Sequence, residues 1–157
     1  MTRRARAIAV AVQKATADAG VPPAARLKRW ALAALGSRAR GELTLRVVDD
    51  AESAALNIRY RGKKGPTNVL SFRAEPPAGR SAELLPIGDV VICAGVVARE
   101  AREQGKALSA HWAHMVVHGT LHLQGYDHEN AGDAAAMEAR ERSLLADLGF
   151  PDPYSVE

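Results

Sequence analysis

With Cys93 as its one cysteine, the chain of 157 residues cannot form an internal disulfide, which agrees with a reducing compartment. Cys93 itself is expected to be a small buried side chain on a strand rather than a reactive thiol or a metal ligand. No apolar run comes near the roughly 18 residues that a membrane-crossing helix needs, so no membrane span is expected. There is no internal repeat, no low-complexity segment and no linker long enough to separate distinct domains, which leaves one domain over residues 1–157. What is present suits that reading: 47% of the residues are apolar and 25% charged, the balance of a globular chain that can bury a full core. The net charge of +3 points weakly toward an anionic partner.

The first twenty residues, MTRRARAIAVAVQKATADAG, imitate a signal peptide, with basic residues before an apolar run and small residues after it. The run spans only residues 7–12 before Gln13 and Lys14 interrupt it, so a first β-strand and a cytoplasmic protein are expected instead.

Residues 7–13 read as that strand, and residues 23–35 as a helix with a proline in its first turn and Gly36 as its stop. Residues 43–48 alternate in strand fashion. Asp49 followed by Glu52 resembles a capping box that opens a helix to about Tyr60. A basic turn at residues 61–66 leads into a short strand over residues 68–72, and Pro76, Pro77 and Gly79 mark a long loop. Residues 87–93 form a further strand and residues 95–104 a charged helix. From Ser109, placed as N-cap, a helix is predicted to run to Gly125. The last helix covers residues 133–148, with Met137, Leu144, Leu145 and Leu148 at helical spacing. The expected fold is α/β of the α+β type: a small mixed sheet of about four strands covered by about five helices.

Three of the five histidines fall in HGTLHLQGYDH, residues 118–128. On a helix, His118 and His122 share one face with their rings about 6 Å apart, close enough to grip one ion. Gly125 lets the chain reverse, so that His128 can approach the same ion from outside the helix. Three imidazoles leave one tetrahedral position open, the mark of a catalytic rather than a structural zinc. The spacing matches the ligands of the metzincin proteases, H-E-x-x-H-x-x-G-x-x-H, but their glutamate base is replaced by Gly119. His111 and His114 fall on nearly the same face. They either line the approach to the metal or, as the simpler reading, are solvated or hydrogen-bonded residues near the helix start. Asp127 is equally an ordinary turn carboxylate or the acceptor that fixes a ligand's tautomer.

The stretch LNIRYRGKKGPTNVLSF, residues 56–72, gathers Arg59, Arg61, Lys63 and Lys64 at a helix end. Most such charge is a solvated face. Arg61, where helix passes into turn, is placed to hold a phosphate with both prongs of its guanidinium.

Taken together, LNIRYRGKKGPTNVLSF, IGDVVIC and HGTLHLQGYDH resemble the YbeY family of bacterial endoribonucleases and rRNA maturation factors, over residues 43–154. The resemblance implies one Zn2+ per chain on His118, His122 and His128 and a required arginine at Arg61. Lys63 is taken with it as a substrate-binding residue. It further implies action on single-stranded RNA, in 3′-end maturation of small-subunit rRNA and ribosome quality control. Partners would be the ribosomal subunit, a ribosomal protein and an assembly GTPase. Lys64 departs from the acidic residue expected at its position. Two other functions compete with the nuclease. A non-catalytic RNA-binding assembly factor would use the same basic turn, and a zinc metalloprotease would share the ligands but lacks the base.

Overall fold

The computed structural model describes residues 8–36, 41–74, 86–126 and 131–155. In chain order the elements are β1 (Ile8–Ala15), α1 (Ala24–Leu35), β2 (Gly41–Val48), α2 (Asp50–Arg61), β3 (Val69–Arg73) and β4 (Pro86–Cys93), followed by α3 (Ala94–Gln104), α4 (Leu108–Leu123) and α5 (Ala131–Asp147). The strands form one mixed sheet in the order β1-β2-β4-β3. β1, β2 and β4 run parallel, and β3 closes one edge antiparallel to β4, with Val69 opposite Ile92 and Phe72 opposite Asp89. The expected α+β class, four strands and five helices are all found among the described residues.

Alternation along the strands decides which helix covers which face. Leu43, Leu45 and Val47 of β2 and Val90 and Ile92 of β4 point to the larger core, where they meet Leu27 and Trp30 of α1, Trp112 and Val116 of α4, and Met137 and Leu145 of α5. Each fully buried aliphatic side chain there contributes roughly 1.5–3 kcal/mol relative to exposure. Val48, Leu70, Val91 and Cys93 point the other way and pack with Leu56 of α2 and Val96 of α3. Helices α4 and α2 therefore lie on opposite faces of the sheet. Cys93 is buried as expected, its thiol 3.2 Å from Asp50 Oδ1, and burial pushes its pKa up, away from the reactive thiolate.

Local signals mark several boundaries. Asp49 caps α2, accepting from the Glu52 N–H at 3.1 Å. The reciprocal half of the capping box is missing, because Glu52 turns instead to Arg46 and accepts from its Nε at 2.7 Å and its Nη2 at 3.0 Å. Two helix starts differ from expectation. α4 begins at Leu108 with Ala107 in the cap position and no side-chain cap bond, so Ser109 is already inside the first turn. α5 begins at Ala131, and Asp133 serves as an acidic residue in its first turn, where the helix dipole favours it. The loop containing Pro76, Pro77 and Gly79 lies outside the described residues.

Candidate metal centre

Helix α4 is apolar nearly all round, with Trp112, Met115, Val116, Val117, Leu121 and Leu123 buried, and it runs through the centre of the domain. Its close approach to the sheet depends on Gly119. A Cβ there would stand 2.6 Å from Val90 Cγ1 and 2.9 Å from Val69 Cγ2, and Ser71 Oγ donates to the Gly119 carbonyl at 2.8 Å. The residue that sets this chain apart from the metzincin pattern is thus the point where the helix touches β3 and β4.

The spacing of residues 111, 114, 118 and 122 sets four imidazoles in a ladder along one side of α4. Ring centroids are 6.1 Å apart for His111–His114, 6.1 Å for His114–His118 and 6.0 Å for His118–His122. Burial falls along the ladder, from side-chain exposures of 3% at His111 and 9% at His114 to 22% at His118. His122 is half-buried in the last turn. The helix then ends in a glycine reversal: Gly125 has φ +98°, its N–H bonds the His122 carbonyl at 3.2 Å, and the Tyr126 N–H bonds the Leu121 carbonyl at 3.3 Å. The reversal expected at Gly125 is present. His128 and Asp127 lie outside the described residues.

Glutamates from neighbouring helices meet the ladder, and neither is marked by any motif in the sequence. Glu100 of α3 lies 2.8 Å from His111 Nε2 and also accepts from Asn68 Nδ2, which ties the start of β3 to the ladder. Glu141 of α5, with no exposed surface, lies 2.5 Å from His118 Nδ1 and 3.2 Å from His114 Nε2, and it accepts a short hydrogen bond from the Tyr154 hydroxyl. Burial alone would raise the Glu141 pKa, but the bonds from His114, His118 and Tyr154 outweigh it and hold the carboxyl down at about 2. Burial and the adjacent carboxylate push the Tyr154 phenol up. His114, His118 and Glu141 each offer a ligand atom within 4.8 Å of the others, so this group could hold a metal ion. His111 and His114 are hydrogen-bonded, one of the two roles open to them, and buried rather than solvated.

Burial outweighs Glu100 at His111 and lowers its pKa below the ordinary histidine value. The unfolded chain then takes up this proton at a higher pH than the folded one, so stability is present above about pH 6.5 and is lost as pH falls through the folded value. Metal-free protein should lose melting temperature between pH 7.5 and 5, with a shallower slope in His111→Gln; equal slopes in thermal melts would contradict it.

Arg61 is the last residue of α2 and Lys63 follows the left-handed Gly62. Both are exposed, as is Lys64, and among the described residues Arg61 and Lys63 make no side-chain hydrogen bond or ion pair. The turn itself is held by buried side chains. Asn57 Nδ2 donates to the Gly65 carbonyl, and Ser53 Oγ exchanges hydrogen bonds with Thr67, all at 2.9 Å. The ends of α2 and α4 reach the same edge strand from opposite faces: Tyr60 packs edge-on against Phe72 at 5.0 Å, while Arg73 Nη2 lies 3.4 Å from the His122 carbonyl.

The family model described as Endoribonuclease YbeY matches residues 12–149. Proteins named endoribonuclease YbeY are similar along the chain. The one from Xanthomonas axonopodis pv. citri is 53% identical over 160 residues, covering 100% of this chain and 99% of its own. Those from Alkalilimnicola ehrlichii and Halorhodospira halophila are each 57% identical, covering 88% of this chain and 86% and 91% of theirs. The likeness thus extends into the first forty residues. Among solved structures, the solution structure of TM1509 from Thermotoga maritima covers 94% of this chain and 99% of its own, with a TM-score of 0.51 at 19% identity, a likeness of fold.

Proposed function

The chain belongs to the endoribonuclease YbeY family, and we propose from that membership that it cleaves single-stranded RNA with one Zn2+ held by His118, His122 and His128. The observation that carries this reading is the state of His118. Its Nδ1 faces the buried Glu141 at 2.5 Å, the arrangement of a ligand imidazole oriented by a carboxylate, one helical turn before His122 and just ahead of the left-handed Gly125. Three neutral nitrogen donors suit zinc. Bound there, the ion supplies Lewis acidity toward water or a phosphate oxygen.

Within that chemistry the chain's own residues have separate tasks. Glu141 orients the His118 ring. Arg61 holds the scissile phosphate and offsets the charge that builds on it, a role suited to an exposed guanidinium with no ion-pair partner among the described residues. Lys63 adds a point charge for the RNA backbone. No carboxylate stands at position 119 to take a proton, so attack by the substrate's own 2′-hydroxyl asks least of the protein. The biological setting we infer is the cytoplasm, in 3′-end maturation of small-subunit rRNA and ribosome quality control. The ribosomal subunit, a ribosomal protein and an assembly GTPase are the partners.

Cleavage of a labelled single-stranded RNA by zinc-loaded protein tests the assignment. Arg61→Ala should keep its zinc and lose cleavage by about a hundredfold, the scale of one transition-state charge contact. Ends that are 2′,3′-cyclic phosphates would show internal attack, and 5′-phosphates would show attack by water. Zinc-loaded wild type that binds the RNA but cuts no faster than a metal-stripped sample would establish a binding protein instead.

A further inference from the structure

We propose that Glu141 is a positioning residue that sets the His118 imidazole for metal binding, and that Tyr154, carried by the segment after α5, holds Glu141 in place; this rests on the reading of His118 as a ligand. Position 141 lies on the buried stripe of α5 between Met137 and the pair Leu144 and Leu145. A carboxylate on such a stripe is unfavourable unless its oxygens are satisfied. Here both are engaged. Oε2 faces His118 Nδ1 at 2.5 Å, and Oε1 accepts from Tyr154 Oη and lies 3.2 Å from His114 Nε2.

With Oε1 already accepting from the Tyr154 hydroxyl, Oε2 is the acceptor facing His118, which places the ring hydrogen on Nδ1 and, in that neutral tautomer, the lone pair on Nε2. A ring fixed in that tautomer and orientation is a stronger metal ligand than a free one, because no rotation or proton exchange precedes binding. For Glu141 to ligate an ion through Oε2, the bond that holds His118 would have to be broken.

Tyr154 reaches this point because its segment is fastened on several sides. Lys106 Nζ donates to the Pro153 carbonyl at 2.7 Å, Arg142 Nε pairs with Asp152 Oδ2 at 3.2 Å, and the Arg142 guanidinium lies 5.4 Å over the Tyr154 ring. The Tyr154 N–H also donates to Asp152 Oδ1 at 2.8 Å. Residues after the last helix thus support the ligand from behind.

The test compares wild type, Glu141→Gln and Tyr154→Phe, folded by circular dichroism, for zinc affinity against a chromogenic chelator. Imidazole 15N shifts of the metal-free proteins report the tautomer. His118 should show the Nδ1–H form in wild type and a mixture in Glu141→Gln, with zinc affinity lower by about 10–100-fold. Tyr154→Phe, which removes one hydrogen bond and keeps the ring, should lose roughly fivefold and remains a test where Glu141→Gln fails to fold. Unchanged affinity and tautomer in the folded variants would overturn the role. So would complete loss of zinc in Glu141→Gln beside full retention in His122→Ala, since Glu141 would then be a ligand. Wild type that shows the predicted pattern but cuts no RNA overturns the nuclease reading and leaves this one standing.

Discussion

Gly119→Glu, the substitution that completes the metzincin sequence pattern, should yield an unfolded or insoluble chain with no peptidase activity. The first carbon of any side chain there stands 2.6 Å from Val90 Cγ1 and 2.9 Å from Val69 Cγ2, atoms of short branched side chains on two strands of the same sheet, so the packing on both strands must shift. Overpacking of this kind costs about 1–3 kcal/mol. The rest of a glutamate would place an unpaired carboxylate between helix and sheet, at several kcal/mol more. Against a total stability of about 5–15 kcal/mol, that sum is enough to unfold the domain. Gly119→Ala separates the two effects. Alanine adds no carboxylate and favours the helix by about 1 kcal/mol, so the net change is the packing cost less that gain, and we expect a lower urea midpoint. A midpoint higher than wild type would show that α4 can move off the sheet and that Gly119 is not its contact point.

That contact explains why some of the fold was legible in the sequence and some was not. Strand alternation could be read because each face of β2 and β4 packs against a different set of helices, and the side-chain period of two records it. Asp49 and Gly125 were legible because caps and reversals are settled by neighbours within a few residues. The order β1-β2-β4-β3 was not, since pairing of β2 with β4 joins residues as far apart as Leu43 and Gly88 and leaves no local mark. Ser109 misled for a related reason: α4 is buried, and tertiary packing extends it to Leu108 although Ala107 supplies no cap.

At the site, spacing revealed the ladder but not what stands behind it. His118 and His122 were legible because a helix places every fourth residue on one side. Glu141 was hidden by distance along the chain, 23 residues from His118. One trace was available. Met137, Leu144 and Leu145 outline an apolar stripe, and position 141, at its centre, carries a glutamate. A charged residue at a core position of an amphipathic helix requires a buried partner, and the histidines of α4 supplied the natural candidates.

His122→Ala should abolish the response of the protein to zinc. His122 is half-buried in the last turn of α4, and alanine is a strong helix former, so the metal-free variant should keep its helical spectrum. Loss of an orienting partner alone costs about 10–100-fold in metal affinity, and loss of a ligand costs more. A hundredfold weaker affinity removes about 2.7 kcal/mol of zinc-linked stability at saturating metal, roughly 5–10 °C of melting temperature for a domain of this size. RNA cleavage should fall to the rate of a metal-stripped sample. His111→Gln is the control: its ring is committed to Glu100 deep in the ladder, so both the zinc shift and cleavage should survive. The comparison also decides between two places for the ion. A His122→Ala protein that still gains the full thermal shift from zinc would move the ion inward, onto His114, His118 and Glu141, where the ligand atoms lie within 4.8 Å of one another. The bond between Glu141 and His118, which an ion held there would have to break, is the reason to expect the opposite.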